Sequence, residues 1–222
     1  IAARKHFTTS RSLGTGEIWL YSTQGGAGVK LVKRPNKTFQ KELGEPMFTA
    51  DGKGLYFVQN VTAGNTFIYH QDSNTELFQI RKVSLDNNAI TKVVGGPGGA
   101  VRPTPSPDGS KLAYVKRVRA KSRLFVMDLA TQHEHMVFDD LDPDLQETWA
   151  VQGVYPNMDW TPDSKAVVFW SGGKIWRIDI ASQRVSEIPF RIRDSRKVFP
   201  PPRFMVDVAP DTFATKMVRF AP

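Results

Sequence analysis

The sequence of 222 residues predicts an all-β fold assembled from a repeated unit. Three observations support this prediction. A short turn phrase occurs three times, with an aspartate at positions 51, 108 and 163, so the repeats are 57 and 55 residues apart. Each phrase is followed by a brief apolar run, and each run by a segment in which polar and apolar residues alternate. Repeats of this length indicate a propeller, a solenoid or an array rather than a domain with one core.

The three turn phrases occupy residues 48–52, 105–109 and 160–164. Pro presets φ at the first central position of a turn, Asp bonds to the nearby backbone, and Gly accepts a positive φ. Each phrase therefore predicts a tight turn between two strands. The predicted structural turn residues are Asp51, Gly52, Asp108, Gly109 and Asp163.

The segments after each turn supply the remaining strands of the unit. The apolar runs 55–58, 112–115 and 167–170 are rich in aromatic and β-branched residues and too short for helices, which predicts buried strands. The alternating segments predict a third strand, and they are 18–22, 80–85, 124–129 and 175–180. A last short strand, such as 90–94 or 184–188, completes a four-stranded antiparallel meander.

Tandem four-stranded units are typical of the blades of a β-propeller, because each blade must pack its faces on its neighbours. A solenoid is disfavoured, since the sequence has neither a ladder of leucines nor a helical apolar period. The predicted units are a partial first blade over 1–41, blades over 42–98, 99–152 and 153–190, an irregular connector over 191–212 and the first strand of a following blade over 213–222.

The sequence starts within what would be the second strand of a blade and stops before the turn that would follow its last strand. This predicts three near-complete blades and partial blades at both ends, as a fragment of a larger propeller. A four-bladed ring closed by the last strand is the alternative. Because an open arc exposes strand edges and apolar faces, we expect the rest of a parent chain or another protein chain, or a second copy in a homo-oligomer, to cover them.

Composition narrows the function classes. No apolar run approaches the roughly 20 residues of a spanning helix, so no membrane span is predicted. The absence of Cys excludes disulfide and thiolate chemistry in this segment. The formal net charge is +8, with a basic run at 116–123. We interpret this run as the solvated charges of an exposed hairpin, and no nucleic-acid partner is predicted because no nucleic-acid-binding motif occurs.

Candidate catalytic and metal-binding residues are few. His133 and His135 have the spacing of a His-x-His metal pair, but no further His is nearby, and an exposed turn pair is the favoured interpretation. The acidic stretch 139–144 lacks the Gly and Glu spacing of a calcium loop and is interpreted as a solvated loop that caps the next segment. No nucleophile elbow or phosphate-binding glycine loop occurs. The sequence thus predicts no catalytic residue, no metal ligand and no cofactor within this segment.

Polar and aromatic residues in an inter-blade connection are the remaining candidates for ligand binding. They are Glu147, Trp149 and Tyr155, at the start of an inner strand. The alternative is that these side chains pack between blades, because large aromatic residues usually fill cores.

Two motifs resemble a known family. The phrase Ser-Pro-Asp-Gly at 106–109, with Lys-Leu-Ala-Tyr at 111–114 and Arg-Leu-Phe-Val-Met-Asp-Leu at 123–129, resembles the TolB-like propeller repeats of bacterial envelope proteins. The stretch from 140 to 175 resembles the TolB-like propeller found N-terminal to bacterial metal-dependent amidohydrolases. This resemblance extends through 187–190 and 208–210 to 216–220, so it covers most of the chain. The first and third turns depart from the family pattern, with Ala50 in place of Pro and Ser164 in place of Gly.

The resemblance implies a noncatalytic propeller segment of a periplasmic or secreted hydrolase, which acts as a scaffold or as a protein or substrate interaction region. The catalytic machinery of such a parent, with zinc as its expected metal, would lie in a downstream barrel containing His-x-His. A stand-alone TolB-type envelope binding module is the alternative, and its chain would end with its last blade. A propeller cap of a prolyl-oligopeptidase-like serine hydrolase is the third hypothesis.

Overall fold

The computed structural model describes residues 1–8, 14–68, 71–72, 74–143, 156–200 and 212. Its contacts divide the chain into two units, 1–189 and 190–222. Among the described residues the chain forms fifteen strands and no helix, which confirms the all-β prediction. All fifteen strands lie in the first unit.

The strands form four antiparallel sheets, each an up-and-down meander in chain order. The first sheet has three strands: β1 (Ala2–Thr8), β2 (Gly14–Leu20) and β3 (Val29–Val32). The second has four: β4 (Leu43–Phe48), β5 (Gly54–Asn60), β6 (Phe78–Ser84) and β7 (Ile90–Val94). The third has β8 (Val101–Pro105), β9 (Lys111–Val118), β10 (Lys121–Asp128) and β11 (Glu134–Phe138). The fourth has β12 (Met158–Trp160), β13 (Ala166–Ser171), β14 (Lys174–Asp179) and β15 (Val185–Ile188).

Three apolar cores hold successive sheets face to face. Ile18 of the first sheet packs with Phe57 of the second, Ile80 of the second packs with Leu112 of the third, and further along the third and fourth sheets share their own core. The strands β4, β8 and β12, each the first of its sheet, also contact one another from sheet to sheet. Sheets stacked in this way, with their first strands gathered on one side, are the blades of a β-propeller around its central channel.

Each turn phrase is closed by the same pair of side chains. A hydroxyl donates a hydrogen bond to the turn aspartate two residues later, from Thr49 to Asp51 at 2.5 Å and from Ser106 to Asp108 at 2.6 Å. The third turn repeats the contact with Thr161 and Asp163 at 2.6 Å. The aspartate also accepts a backbone N–H two residues further on, at 3.0 Å in the first two turns. The repeated phrase is therefore a repeated hydrogen-bonding unit.

The third turn differs in one residue that joins two blades. Ser164 replaces the glycine of the other turns and still adopts a positive φ of 59°. Its hydroxyl accepts a hydrogen bond at 3.1 Å from the backbone N–H of Asp108, in the turn of the preceding blade. The substitution thus costs backbone strain and gains a contact between blades.

The acidic loop lies against the hairpin between β13 and β14. The Asp142 carboxylate accepts the Gly172 backbone N–H at 3.0 Å, and the Ser171 hydroxyl donates to the Asp140 carbonyl at 2.9 Å. These contacts fit the expected capping role. In the second unit, residues 190–200 have no regular secondary structure and are exposed. Nowhere in the described residues does a helix of sufficient length and apolarity to span a membrane occur.

Candidate functional site

The first strands of the second and third sheets each contain a β-bulge at the same place. In β4, Glu45 and Pro46 face a single residue of β5, because the pairing shifts between Gly44 and Met47. In β8, the pairing with β9 shifts in the same way between Val101 and Thr104. Pro has no N–H to donate to a strand partner, so Pro46, and Pro103 in the equivalent place, favour the bulges.

The residue before each proline has an unusual backbone conformation. Glu45 has a φ of 53° and Arg102 a φ of 60°, in a region that side chains other than Gly rarely adopt. Such residues persist only where the surrounding structure holds them, and they concentrate at functional sites. The two bulges therefore mark a candidate site where the first strands of neighbouring blades meet.

Arg102 holds the Glu45 carboxylate with two different groups. The Arg102 guanidinium Nη1 lies 2.8 Å from Glu45 Oε1, and the Arg102 backbone N–H donates to Glu45 Oε2 at 2.8 Å. The side chains are 11% exposed for Glu45 and 19% for Arg102. This nearly buried ion pair bridges the second and third blades.

The Glu45 carboxyl is incompletely compensated. Burial raises its pKa to about 7, against the opposing attraction of the Arg102 guanidinium and backbone N–H. The nearby Glu42 carboxylate raises the pKa further, and Arg4 lowers it. Desolvation disfavours the charged form of a carboxyl group, so here it outweighs the ion pair. Glu45 therefore changes charge near neutral pH.

A second ion pair joins the first and second blades. Arg4 Nη1 of β1 lies 2.7 Å from Glu42 Oε1, and the Glu42 side chain is 7% exposed. Two glycines make room for it. A Cβ at Gly44 would lie 3.1 Å from the Arg4 side chain, and one at Gly16 would lie 2.6 Å from it. Glycine at these positions allows the first two blades to approach closely around the pair.

A cavity of about 210 Å³ lies beside Glu45 and Arg102. Asn157, which directly precedes β12 of the fourth sheet, also lines this cavity. It occupies the position equivalent to Glu45 and Arg102, six residues before the turn aspartate. Met47 and Met158 add apolar surface. We call Glu45, Arg102 and Asn157, together with this cavity, the axial site. It presents a carboxyl, a guanidinium and an amide, which suits recognition of a polar or charged group.

A larger cavity of about 630 Å³ lies among the turns of the second and third blades. Its carboxylates, Asp51 and Asp108, are already committed to their own turns. Hydrogen bonds from Ser106 and from the Ser110 backbone lower the pKa of Asp108 to about 2. We therefore assign these aspartates a structural role, and the axial site is the better candidate despite its smaller size.

The ligand-binding residues expected from the sequence, Glu147, Trp149 and Tyr155, lie outside the described residues. That expectation stays a prediction. The His133 and His135 rings stack on each other with centroids 6.3 Å apart. Among the described residues no group of three or more potential metal ligands occurs.

Sequence reasoning missed Glu45, Arg102 and Asn157. A signal was present, because all three stand six residues before a turn aspartate and two of them precede a proline. The alternation used to find strands does not identify a bulge, and so it gave no reason to single out these positions.

No family model matches the sequence, and neither does any curated protein. Among solved structures, TolB from Acinetobacter baumannii is similar, with 18% identity and a TM-score of 0.63 over 86% of this chain. A putative TolB from Agrobacterium tumefaciens has 16% identity and a TM-score of 0.55 over 83%. The tricorn protease has 13% identity and a TM-score of 0.57 over 85%. The chain spans 41%, 60% and 21% of the length of these three structures.

The four antiparallel meanders and the apolar cores between them define the class of protein, a β-propeller. Within that class the structural comparisons identify the fold as TolB-like. Identities below one fifth show a shared fold and leave the activity to be argued from the site.

Proposed function

We propose that this chain is a noncatalytic propeller domain that binds a ligand at the axial site. The observation that carries the proposal is the convergence of Glu45, Arg102 and Asn157 from three successive blades on one cavity. Two of these residues have strained backbones, and the Glu45 carboxyl has a pKa raised to about 7. Strain and a perturbed carboxyl beside a cavity favour a binding site.

The proposed parent is an exported bacterial hydrolase of the amidohydrolase class. Its support is the sequence resemblance that runs from 140 to 175 and extends to 216–220, and it implies a periplasmic or secreted protein with zinc in a separate catalytic domain. The propeller would then act as a scaffold and as an interaction region that binds no nucleic acid, and Lys116 of its basic run is engaged in an ion pair with Glu134 at 2.6 Å.

An apolar row on the fourth sheet supports the proposal that further protein covers this end of the arc. Trp170 pairs with Ile175, and Ile175 pairs with Ile188. Trp170 and Ile188 are 36% and 37% exposed. We propose that the rest of the parent chain, another chain or a second copy packs on this row, because apolar side chains of this size gain free energy on burial.

The test of the parent is the intact mass of the natural polypeptide, together with peptide sequencing beyond Pro222. Continuation into a barrel with His-x-His, and a hydrolase activity that a zinc chelator removes, are the expected results. A polypeptide that ends within one or two further blades would contradict the hydrolase and leave a TolB-type binding module. The similarity to the two TolB structures favours that second candidate. A serine hydrolase domain in the same polypeptide would instead support the peptidase-cap hypothesis.

A further inference from the structure

The Glu45 carboxylate has acceptor capacity that its own partner does not use. An ionised carboxylate offers about four lone-pair sites. In the part of the chain that the structure describes, Glu45 Oε2 accepts the Arg102 backbone N–H, whereas the buried Oε1 lies 2.8 Å from the Arg102 guanidinium and accepts no hydrogen bond. Its side chain forms part of the cavity wall. A donor that enters the cavity can therefore reach a carboxylate that still lacks partners.

Burial leaves the Glu45 carboxylate short of compensation, which a positively charged donor would supply. The Glu42 carboxylate opposes its ionisation, and Arg102 and Arg4 support it. Burial outweighs these charges and leaves a carboxyl with a pKa of about 7, so near neutral pH a further cation would compete with the proton for it. A ligand cation would supply the compensation that burial removes.

The cavity walls indicate what the rest of the ligand resembles. Met47 and Met158 are flexible apolar side chains that accommodate an aliphatic stem. Pro46 and Pro103 add rigid apolar surface, and Asn157 offers an amide at the rim. The volume of about 210 Å³ is smaller than the roughly 300–1,000 Å³ of ordinary ligand pockets, which suits one side chain or one chain terminus.

We propose that the axial site binds a primary ammonium group on an aliphatic stem, with Glu45 as its ion-pair partner and Arg102 held in place beside it. The group comes from a lysine side chain or from the amino terminus of a peptide. This inference rests on the proposed function of the axial site and names its ligand chemistry.

The proposal requires a proton to leave when the ligand binds at slightly acidic pH. The neutral Glu45 carboxyl loses its proton to solvent, and the carboxylate then pairs with the ammonium, so charge is conserved. Because only the ionised fraction is competent, a lysine-type ligand should bind about tenfold more weakly at pH 6 than at pH 8.

The experiment uses three small probes and the whole chain. Nα-acetyl-lysine N-methylamide carries a side-chain ammonium, norleucine N-methylamide carries an α-ammonium, and Nα-acetyl-norleucine N-methylamide carries neither. Titration calorimetry measures affinity at pH 6 and pH 8, and buffers of different ionisation enthalpy report proton release. Methyl NMR of the methionines locates binding, since Met47 and Met158 line the cavity whereas Met127 lies in a core.

We expect at least one ammonium probe to bind and to shift the Met47 and Met158 methyl signals. The pH effect should be about tenfold for the lysine probe and about fourfold for the norleucine probe, because an α-amino group with a pKa of about 7.7–8.0 is partly neutral at pH 8. The neutral probe should bind at least tenfold more weakly. Binding of the lysine probe identifies the side-chain source, and binding of the norleucine probe identifies the chain terminus. Glu45→Gln should abolish binding, whereas Glu187→Gln, at an exposed ion pair in β15, should leave it unchanged.

A second variant tests the site without altering Glu45. Asn157→Lys places an ammonium at the cavity wall, and it should block the probes while the chain stays folded. Equal binding of the neutral probe, or binding that survives Glu45→Gln, would overturn the ammonium proposal but leave the axial site as a binding site. If none of the probes binds or shifts the two methyl signals, the ammonium proposal is wrong, and the proposed function is judged separately by binding of peptides that carry no ammonium.

Discussion

The buried Glu45 carboxyl predicts that this chain loses stability as pH rises through neutrality, and that Glu45→Gln removes the loss. The folded-state pKa of Glu45, about 7, lies above its ordinary value of 4.5. A carboxyl with a raised pKa contributes stability below its ordinary pKa and loses it as pH rises through the folded value. The window is therefore pH 4.5 to 8.

The size of the effect follows from the two pKa values. Each pKa unit corresponds to about 1.4 kcal/mol, so the difference between 4.5 and about 7 gives an upper limit of about 3 kcal/mol in the free energy of unfolding. Glutamine keeps the shape of the protonated acid. We therefore expect Glu45→Gln to match the wild type near pH 4 and to be more stable by up to about 3 kcal/mol at pH 8.

Urea unfolding followed by tryptophan fluorescence at several pH values measures this difference. The quantity to compare is the difference between the variant and the wild type. His6 also titrates, and burial and Arg4 lower its pKa, so its contribution has the opposite sign but cancels in that difference. Glu187→Gln serves as the control with no expected pH effect. Parallel curves between pH 5 and 8, or a variant that is less stable at pH 8, would refute the reasoning.

Three further predictions concern packing between blades and the end of the first unit. Gly16→Ala would place a Cβ 2.3 Å from the Leu43 carbonyl oxygen, and thermal unfolding should show a loss of about 1–3 kcal/mol; an unchanged midpoint would contradict the close approach. Trp160→Phe removes a buried hydrogen bond of 2.8 Å from the indole N–H to the Thr104 carbonyl. Denaturant titration should show that the free energy of unfolding falls by about 1–2 kcal/mol. An unchanged free energy of unfolding would mean that water replaces the indole N–H. Trypsin should cut first within residues 190–200, which are exposed and contain four basic residues. Mass spectrometry of the early fragments identifies the first cuts, and first cuts inside the sheets would contradict this prediction.

The turns and strands of the fold could be predicted from the sequence because each depends on residues that are neighbours in the chain. Turns and strands depend on neighbouring residues, so the phrase around Asp108 and the run that follows it are sufficient to place β8 and β9. The contacts of the acidic loop fit the capping role that the sequence predicts, although its partners Ser171 and Gly172 come from the next blade.

The axial site could not be predicted in the same way. Glu45 and Arg102 are 57 residues apart, and they meet only because two blades pack side by side and both first strands bulge. The raised pKa of Glu45 is a property of that packing, since burial is its main cause. Neither effect is visible in a hydrophobic pattern.

Ser164 shows how near-identical blades can be told apart during folding. The three turns share one phrase and one hydrogen-bonding pattern, and a chain of similar units risks joining the wrong neighbours. The hydroxyl that accepts the Asp108 N–H occurs only in the turn of the fourth sheet, because the other two turns have Gly52 and Gly109 there. This departure from the repeat thus provides a contact that is specific to the third and fourth blades. Ser164→Gly would remove that contact and relieve the strain of the positive φ at residue 164.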